Sequence, residues 1–565
     1  MFINRIALNN TVDWSPGDKI VISSSSYEAH QAELVYLRDI YGPIVRIWGK
    51  LNYWHSDYTQ QKAASVGITP KGHRSGRCHH DHTFNDNWTQ YRVPLSTGGC
   101  SIGTCVSSSS SEMCCGGTVH SIGDTVRIVL AAEVGLLSRN IQIDTDTPCS
   151  GSIMVGQHTS DLGEKYLGSL ELSNVEISDF GTSSLPSINF INTSQSSSIS
   201  HSSIHHSCGC GITATNSTNI MLHANILYSI VGHGVHLDGG NHVVTDNLLV
   251  LMQQPKTQVE WVTGMKINPL TDVFLSGNSV AGSERIAYHV QGKGCHFEKR
   301  LWQENVAHSS LHGIHVYWED DLKNCMKISG FLSYKNYDYG LFFHVEGSAM
   351  VEDVTLVDNR VGLLPIVSQH SAFTSLKQYI SLHNSVIVAT SSAFDCLRDR
   401  IKPFSANVTR KDRAPSSPYG GRVGILWPMF TERPRRWPDY PWHMLAAEGT
   451  VSGIMKLQDV TFSGFKKSCY SDDFDTCIMT IPRNMAITCP ITADRIKMLD
   501  VRSDHVFYFH PQDRTTSCPL SAECSGAQAS LFKDLDGSFL GHGPTVTVFP
   551  VSEHDVVHPC YNIGK

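Results

Sequence analysis

The sequence predicts an all-β chain built around a right-handed parallel β-helix, and three observations carry that expectation. The first is composition. The 565 residues include 45 glycines, and charged residues make up 17%, against about 25% in an average globular protein. A turn-rich β protein fits that profile, while a hydrophobic share of 41% is too high for a chain disordered throughout. The second is a recurrent asparagine: Asn225, Asn247, Asn278, Asn305, Asn359 and Asn384 are 22, 31, 27, 54 and 25 positions apart, 54 being twice 27. The third is a set of aligned columns. A small residue recurs at Gly211, Gly234, Gly264, Ala287, Gly313 and Gly340. One step on stand Ile212, Val235, Met265, Tyr288, Ile314 and Leu341, and three steps on stand Ala214, Leu237, Ile267, Val290, Val316 and Phe343.

The column between the two apolar ones reads Thr213, His236, Lys266, His289, His315 and Phe342, mostly polar. Alternation with period 2 puts the apolar columns on one strand face and the polar column on the other. A hairpin protein would need turns every 8 to 12 residues or so. Here the same pattern returns in the same order once per 22 to 31 residues, so parallel stacking about 4.8 Å apart explains it directly. The right hand follows the general rule for parallel crossovers, giving a β-helix of the pectin-lyase type. The asparagines suit turns in which left-handed backbone is tolerated and side-chain amides stack.

In chain order, residues 12–23 read as a turn and a strand, and 44–51 as another strand. Residues 57–117 break the pattern with Cys78-His79-His80-Asp81-His82, a serine run at 107–111 and Cys114-Cys115-Gly116-Gly117. That block is expected to be an irregular insert, either an exposed loop or an artefact of the gene model. Ordered sequence returns at 131–141, and the β-helix is assigned to 118–400. Residues 401–445 contain Pro403, Pro415, Pro418, Pro428, Pro434, Pro438 and Pro441 and read as a meandering connection. Further, less regular strands follow to the end of 401–565, beginning with 454–462.

Charge and cysteine usage set the compartment. With 44 Lys and Arg against 52 Asp and Glu, the net charge of -8 gives no basic field for a nucleic acid. Seventeen cysteines, together with sequons at Asn9, Asn87, Asn192, Asn216 and Asn407, lean towards the secretory pathway. The first residues lack a signal-peptide core, and no 18-residue apolar run occurs. Such a chain is most simply one piece of a larger extracellular protein.

Trp14, Gly17, Asp18 and Ile20-Val21-Ile22-Ser23 resemble the end of a G8 domain. Ala132-Glu133-Val134-Gly135-Leu136-Leu137-Ser138-Arg139-Asn140-Ile141 resembles the entry to its β-helix. With 280–285, 305–313, 384–392 and 531–537, these strings resemble the fibrocystin family of G8 and β-helix repeat proteins, which also has hyaluronan-degrading relatives. The resemblance spans nearly everything except 57–117 and makes 1–56 the C-terminal part of a G8 domain. It implies a non-catalytic, receptor-like ectodomain of a single-pass membrane protein at the apical surface or primary cilium of epithelia. An unidentified extracellular protein or glycan ligand, a polycystin channel associated with the parent protein and a part in tubule organisation are implied with it. A glycan-degrading enzyme is the rival expectation.

Candidate sites are few. His236, Lys266, His289 and His315 form a possible ligand face, with neighbouring imidazoles about 5 Å apart. A flat ladder holding a lysine converges poorly on a metal, and an anionic glycan suits it better. The Cys78 to His82 motif lacks the paired spacing of a zinc site. Hydrolysis of a glycan needs two carboxylates about 5 to 9.5 Å apart; Asp338, Asp353 and Asp358 read instead as turn acids. Asp534-Leu535-Asp536-Gly537-Ser538 lacks the downstream ligands of a calcium loop and reads as a tight turn with Gly537 at positive φ. No catalytic residue, metal or cofactor is assigned. Cys469 with Cys477, and Cys518 with Cys524, are the local disulfide candidates.

Overall fold

The structure, a computed structural model, describes residues 5–8, 11–55, 64–66, 117–122, 125–256, 260–269, 273–295, 302–318, 325–345, 348–369, 379–399, 421–429, 450–451, 454–466, 475–482, 491–502, 506–509, 530–539 and 544–549. Most of it is a stack of parallel coils. One ladder runs through Ile188–Ile191, Ile212–Thr218, Val235–Gly240, Thr263–Pro269, Ile286–Val290, His312–Trp318, Tyr339–Val345 and Val361–Gln369. Its register is the one the columns predict, with Val235 beside Met265, then Tyr288, Ile314 and Leu341. Val235, Ile267, Val290 and Val316 are all buried in the common core. A second ladder joins Glu171–Ser173 to Val273–Ser276. A third rises from Ile141–Ile143 through Val175–Ser178, Ser203–Ser207, Ile226–Val231, Leu248–Gln253 and Ser279–Ser283 to Asn305–His308.

The small-residue column has a steric cause. A Cβ on Gly234 would lie 2.6 Å from Leu249 Cδ2 and 2.7 Å from the carbonyl oxygen of Gly264. At this point the backbone of one coil rests on the next.

The stack is displaced and longer than the assigned 118–400. It does not start at 118, because Thr125–Leu130 pairs antiparallel with Gly117–Ile122 and with Ala64–Val66. The last of these is a strand inside the block expected to be irregular; the rest of that block, except Gly117, lies outside the described residues. At the other end the ladders continue past 400. Val361–Gln369 pairs with Val423–Met429, which pairs with Thr476–Pro482 and then Phe507–Phe509. Tyr379–His383, Ile454–Gln458, Ile491–Asp494 and Ser530–Asp534 stack likewise. From Val361 to Val423 is 62 positions and from Val423 to Thr476 is 53. Long insertions between strands therefore hide the repeat without breaking the ladder.

The asparagines hold the corners, and they form two ladders rather than one. Asn247 Oδ1 accepts from both the backbone N and Nδ2 of Asn225, each at 3.0 Å, and Asn247 in turn donates to Asn278. Asn278 donates to Asn305 in the same way. Asn359 does not continue this series. It accepts from Asn336, which accepts from Ser310, at the next corner along the coil. The left-handed residue is the one before each asparagine of the first ladder: Ala224, Asp246, Gly277 and Glu304 have φ of 53°, 58°, 68° and 57°. Asn384, at φ 45°, occupies that preceding position itself.

The N-terminal residues form an antiparallel sheet of β1 (Arg5–Ala7), β2 (Lys19–Ile22), β3 (Glu33–Tyr41) and β4 (Ile44–Ile47), in the order β1-β4-β3-β2, with Val134–Leu136 beyond β2. The two phrases that carry the G8 resemblance thus meet in space, Ile20 opposite Leu136 and Ile22 opposite Val134. Trp14, Ile20, Ile22, Val35, Leu37, Val45 and Ile47 fill the core of this sheet. Val21 and Ala29 point the other way and pack on Ile226, Leu248 and Val250 of the β-helix.

Replacing Asn247 by Ala strands the N–H of Asn225, leaves Asn225 Nδ2 only its bond to the Ile199 carbonyl, and removes the Nδ2 donor from Asn278 Oδ1 and from the carbonyls of Leu222 and Thr245, so a loss of about 3 kcal/mol is expected from denaturant melts. The half-buried pair Thr213 to Asn189 on the outward face, 2.7 Å long, is the control. Asn189→Ala is expected to cost about 1 kcal/mol or less, and equal losses would mean that the buried ladder is not what holds the corners.

Candidate functional site

His236, Lys266, His289 and His315 are register neighbours on the outward face of the first ladder. They do not form a flat solvated surface. The chain just before Thr263 lays Glu260 and Trp261 against them. Lys266 Nζ donates to Glu260 Oε1 at 2.5 Å, and Glu260 Oε2 lies 3.8 Å from His233 Nε2. His233 and Lys266 together hold the Glu260 carboxyl well below the usual carboxylate range. His236 Nε2 is 3.2 Å from Asp238 Oδ1, which also accepts from Asn268. Burial first, and Lys266 second, push the His289 imidazole down to about 3, so it is neutral at physiological pH. His315 shares a 2.6 Å hydrogen bond with His312 and packs 4.5 Å from the Phe342 ring, while Trp261 stands edge-on to His312 at 5.3 Å.

The column therefore offers an anion no unmatched positive charge. Further along the stack the same outward position becomes apolar and buried, at Phe342, Leu364 and Leu426. Among the described residues no three His, Cys, Asp or Glu side chains converge as metal ligands do. Cys78 to His82 lie outside the described residues.

The acids occupy three different settings. Asp353 and Asp358 have φ of 53° and 54° and are turn residues. Asp358 is buried, and burial raises its pKa. Its two oxygens accept from the backbone N and the hydroxyl of Ser391, both at 2.7 Å. Asp338 is not an exposed turn acid; it is fully buried, 3.7 Å from both His312 Nε2 and Arg360 NH1. Asp534 caps its own turn, accepting from the N–H groups of Gly537 and Phe539, with Gly537 at φ 80°.

Among the described residues, Cys149 is joined to Cys208 and Cys295 to Cys325, each pair far apart in sequence. Cys477 is a buried free thiol, which corrects its pairing with Cys469: the side chain of Cys477 is packed into the coil core. Cys469, Cys518 and Cys524 lie outside the described residues. So do three sequon asparagines, Asn9, Asn87 and Asn407, whereas Asn192 and Asn216 are exposed on adjoining coils.

Sequence reasoning missed a buried constellation at the junction of the two units. His308 Nε2 lies 3.0 Å from both oxygens of Glu133, and His308 Nδ1 is 2.9 Å from the hydroxyl of Ser309. Carboxylate, imidazole and hydroxyl stand in the order of a nucleophile relay. The hydroxyl of Ser309, however, is wholly buried and donates to the carbonyls of Ser24 and Ser26. Glu133 also accepts from Ser23 and Ser279. The group pins the N-terminal sheet to the coils. Its members are 175 positions apart, so no spacing reveals it, yet both lie inside the phrases that carry the family resemblance.

Those phrases are part of a likeness that runs the length of the chain. It is 44% identical to the fibrocystin of Canis lupus familiaris over 567 aligned positions, covering 99% of this chain. The chain is a fibrocystin homologue. Fibrocystin of Mus musculus is 42% identical over the same share, and fibrocystin-L of Homo sapiens, a more distant paralogue, is 28% identical over 97% of the chain. The chain spans 12% of the length of each of these curated relatives. No family model matches it. Among solved structures, the catalytic domain of a GH87 α-1,3-glucanase aligns at a TM-score of 0.35 and 8% identity, covering 92% of this chain and 89% of that one. The gp61 tailspike of Pseudomonas phage phi297 aligns at 0.20 and 6%, over 94% and 66%.

The neutral histidines give the stack a pH dependence of definite sign. Burial lowers His242 to about 4 and His289 to about 3, below an unfolded value of about 6.5. Each contributes stability in full above that unfolded value and loses it as pH falls towards the folded one. His30, raised by its hydrogen bond to Glu284, acts in the opposite sense. Melts of the wild type and His289→Leu at pH 7 and pH 5 isolate the first effect: the wild type should lose on the order of 1 kcal/mol more than the variant on acidification. An equal or smaller loss in the wild type would show that His289 is not held neutral.

Proposed function

We propose that this chain is a non-catalytic extracellular module of a receptor-like membrane protein, a long rigid scaffold that takes part in ligand or matrix binding. One observation carries the non-catalytic part. The ionisable groups on the outward face are matched within the chain, and Asp338 and Asp358 are fully buried. No pair among the three candidate acids is thus open to a substrate, as glycan hydrolysis requires. The fibrocystin homology supports the receptor-like part. On this reading we also propose that the parent is a single-pass protein of the apical or ciliary membrane, associated with a polycystin channel and acting in tubule organisation.

The test is incubation of the purified chain with size-defined hyaluronan, with and without calcium or zinc, following polymer length. Unchanged length is the expected result. Shortening that disappears in Asp358→Asn or His315→Ala would replace this proposal with a glycan-degrading enzyme.

A further inference from the structure

The N-terminal sheet carries exposed chemistry that the β-helix does not. Its outward face follows from the strand register. Leu37 lies opposite Ile47, and Ile40 opposite Val45, facing the core; Asp39 lies opposite Arg46, and Tyr41 opposite Ile44, facing out. The N–H of Trp48 donates to the carbonyl of Tyr36, which sets these two side by side on the same outer face. Arg5 of the edge strand lies opposite Arg46. Trp48 is 62% exposed, Tyr41 57% and Tyr36 47%, and each of the first two is flanked by a guanidinium: Arg38 lies 5.2 Å from the Trp48 ring centre and Arg46 5.2 Å from that of Tyr41.

Large exposed aromatic surface of this kind is unusual unless it binds something, and Trp, Tyr and Arg are the side chains that dominate binding energy at contact surfaces. The charge on this face is mostly positive. Arg5, Arg38 and Arg46 face one acid, Asp39, whose Oδ2 lies 3.4 Å from Arg38 and 4.0 Å from Arg46. This cationic patch sits on a chain whose net charge is -8. We propose that the outer face of β1, β3 and β4 binds an anionic polysaccharide, with Tyr36, Trp48 and Tyr41 as stacking platforms and Arg5, Arg38 and Arg46 taking its acid groups. This assignment rests on the binding-module reading above and gives it a surface.

The layout favours a polysaccharide over an acidic protein segment. Tyr36 and Tyr41 are five positions apart on β3, about 16 Å along the strand, and the guanidinium of Arg38 leaves the strand between them. Aromatic plane, cation and aromatic plane follow one another in a line. A polymer of alternating ring faces and acid groups matches such a row along its length. Guanidinium forks take carboxylate and sulfate with two parallel hydrogen bonds, and the ring faces take the C–H side of a sugar.

The experiment measures binding of the full chain to immobilised heparin-type oligosaccharide, to polyglutamate and to neutral dextran, with melting curves as the folding control. The expected result is salt-sensitive binding to the sulfated sugar, weakened about tenfold or more by Trp48→Ala and by Arg38→Ala combined with Arg46→Ala. His315→Ala should leave it unchanged, and dextran and polyglutamate should bind far more weakly. Trp48→Phe, which keeps an aromatic ring, should retain most of the affinity, while Arg46→Lys, which keeps the charge but not the fork, should lose part of it. The proposal is overturned by no binding, by binding that survives the Trp48 and arginine variants, or by equally tight polyglutamate binding indifferent to Trp48→Ala, which would indicate an acidic protein partner. Cleavage of the polysaccharide would sink the non-catalytic reading while leaving this site in place; loss of binding would do the reverse.

Discussion

A coil that turns a corner leaves peptide groups that the strand ladders do not reach, and in a stacked fold those groups are buried. The amide ladder is the answer this chain uses. Asn247 Oδ1 takes both donors of Asn225, while its own Nδ2 donates to the carbonyls of Leu222 and Thr245 and to Asn278. Each asparagine is satisfied only if the coils on both sides carry the matching group. The requirement therefore propagates from coil to coil, and it fixes where strands end and which side chains point inward.

That propagation is why so much of the fold can be read from the sequence. The apolar columns and the small-residue column set the register, because a one-step slip would turn Val235, Ile267, Val290 and Val316 out to solvent. What misled is also physical. Two corners use the same chemistry five positions apart, at Asn305 and Ser310, and at Asn359 and Val354 with the roles exchanged. Spacing alone cannot tell one corner from the other, so Asn359 is assigned to the wrong ladder and Asn336 is overlooked. The coils after 421 escape notice because their connections are long, and the ladder constrains only the strands. The disulfide between Cys295 and Cys325 escapes notice for a related reason: the two are 30 positions apart and meet because they are one coil apart, whereas short sequence spacing favours pairs within a loop.

The junction between the sheet and the coils depends on buried charge. Glu133 is wholly buried, a placement that desolvation strongly opposes, yet its carboxyl sits below its ordinary pKa because His308, Ser23 and Ser279 all serve it. Glu176 is held down at about 2 in the same way, with His205 and Lys19 outweighing burial. Buried pairs of this kind add little net stability over a well-packed apolar contact, but removing one partner is expensive. Their effect here is positional: Lys19 reaches Glu176, Ser23 reaches Glu133, and Tyr27 reaches the carbonyl of Asp358. A single stretch of chain is thereby tied to different coils along the stack, directly at Glu176 and Asp358 and, through Glu133, at His308 and Ser279, and none of these partners is close in sequence.

This division of labour bears on how an acidic chain could hold an acidic ligand. A net charge of -8 repels anions at long range, but the repulsion is screened beyond about 8 Å at physiological ionic strength. The long-range field then neither guides such a ligand nor strongly excludes it. Capture has to come from contacts closer than that, where a local excess of arginine outweighs the distant carboxylates. On the stack, Glu260 and Asp238 already sit at that range from Lys266 and His236, so the cations there are spent on the protein's own structure. On the outer face of the N-terminal sheet Asp39 is shared between two arginines, and one carboxylate cannot match both. The surplus charge, set beside uncovered aromatic rings, makes the sheet rather than the β-helix the contact surface, with the β-helix supplying length and a rigid mount.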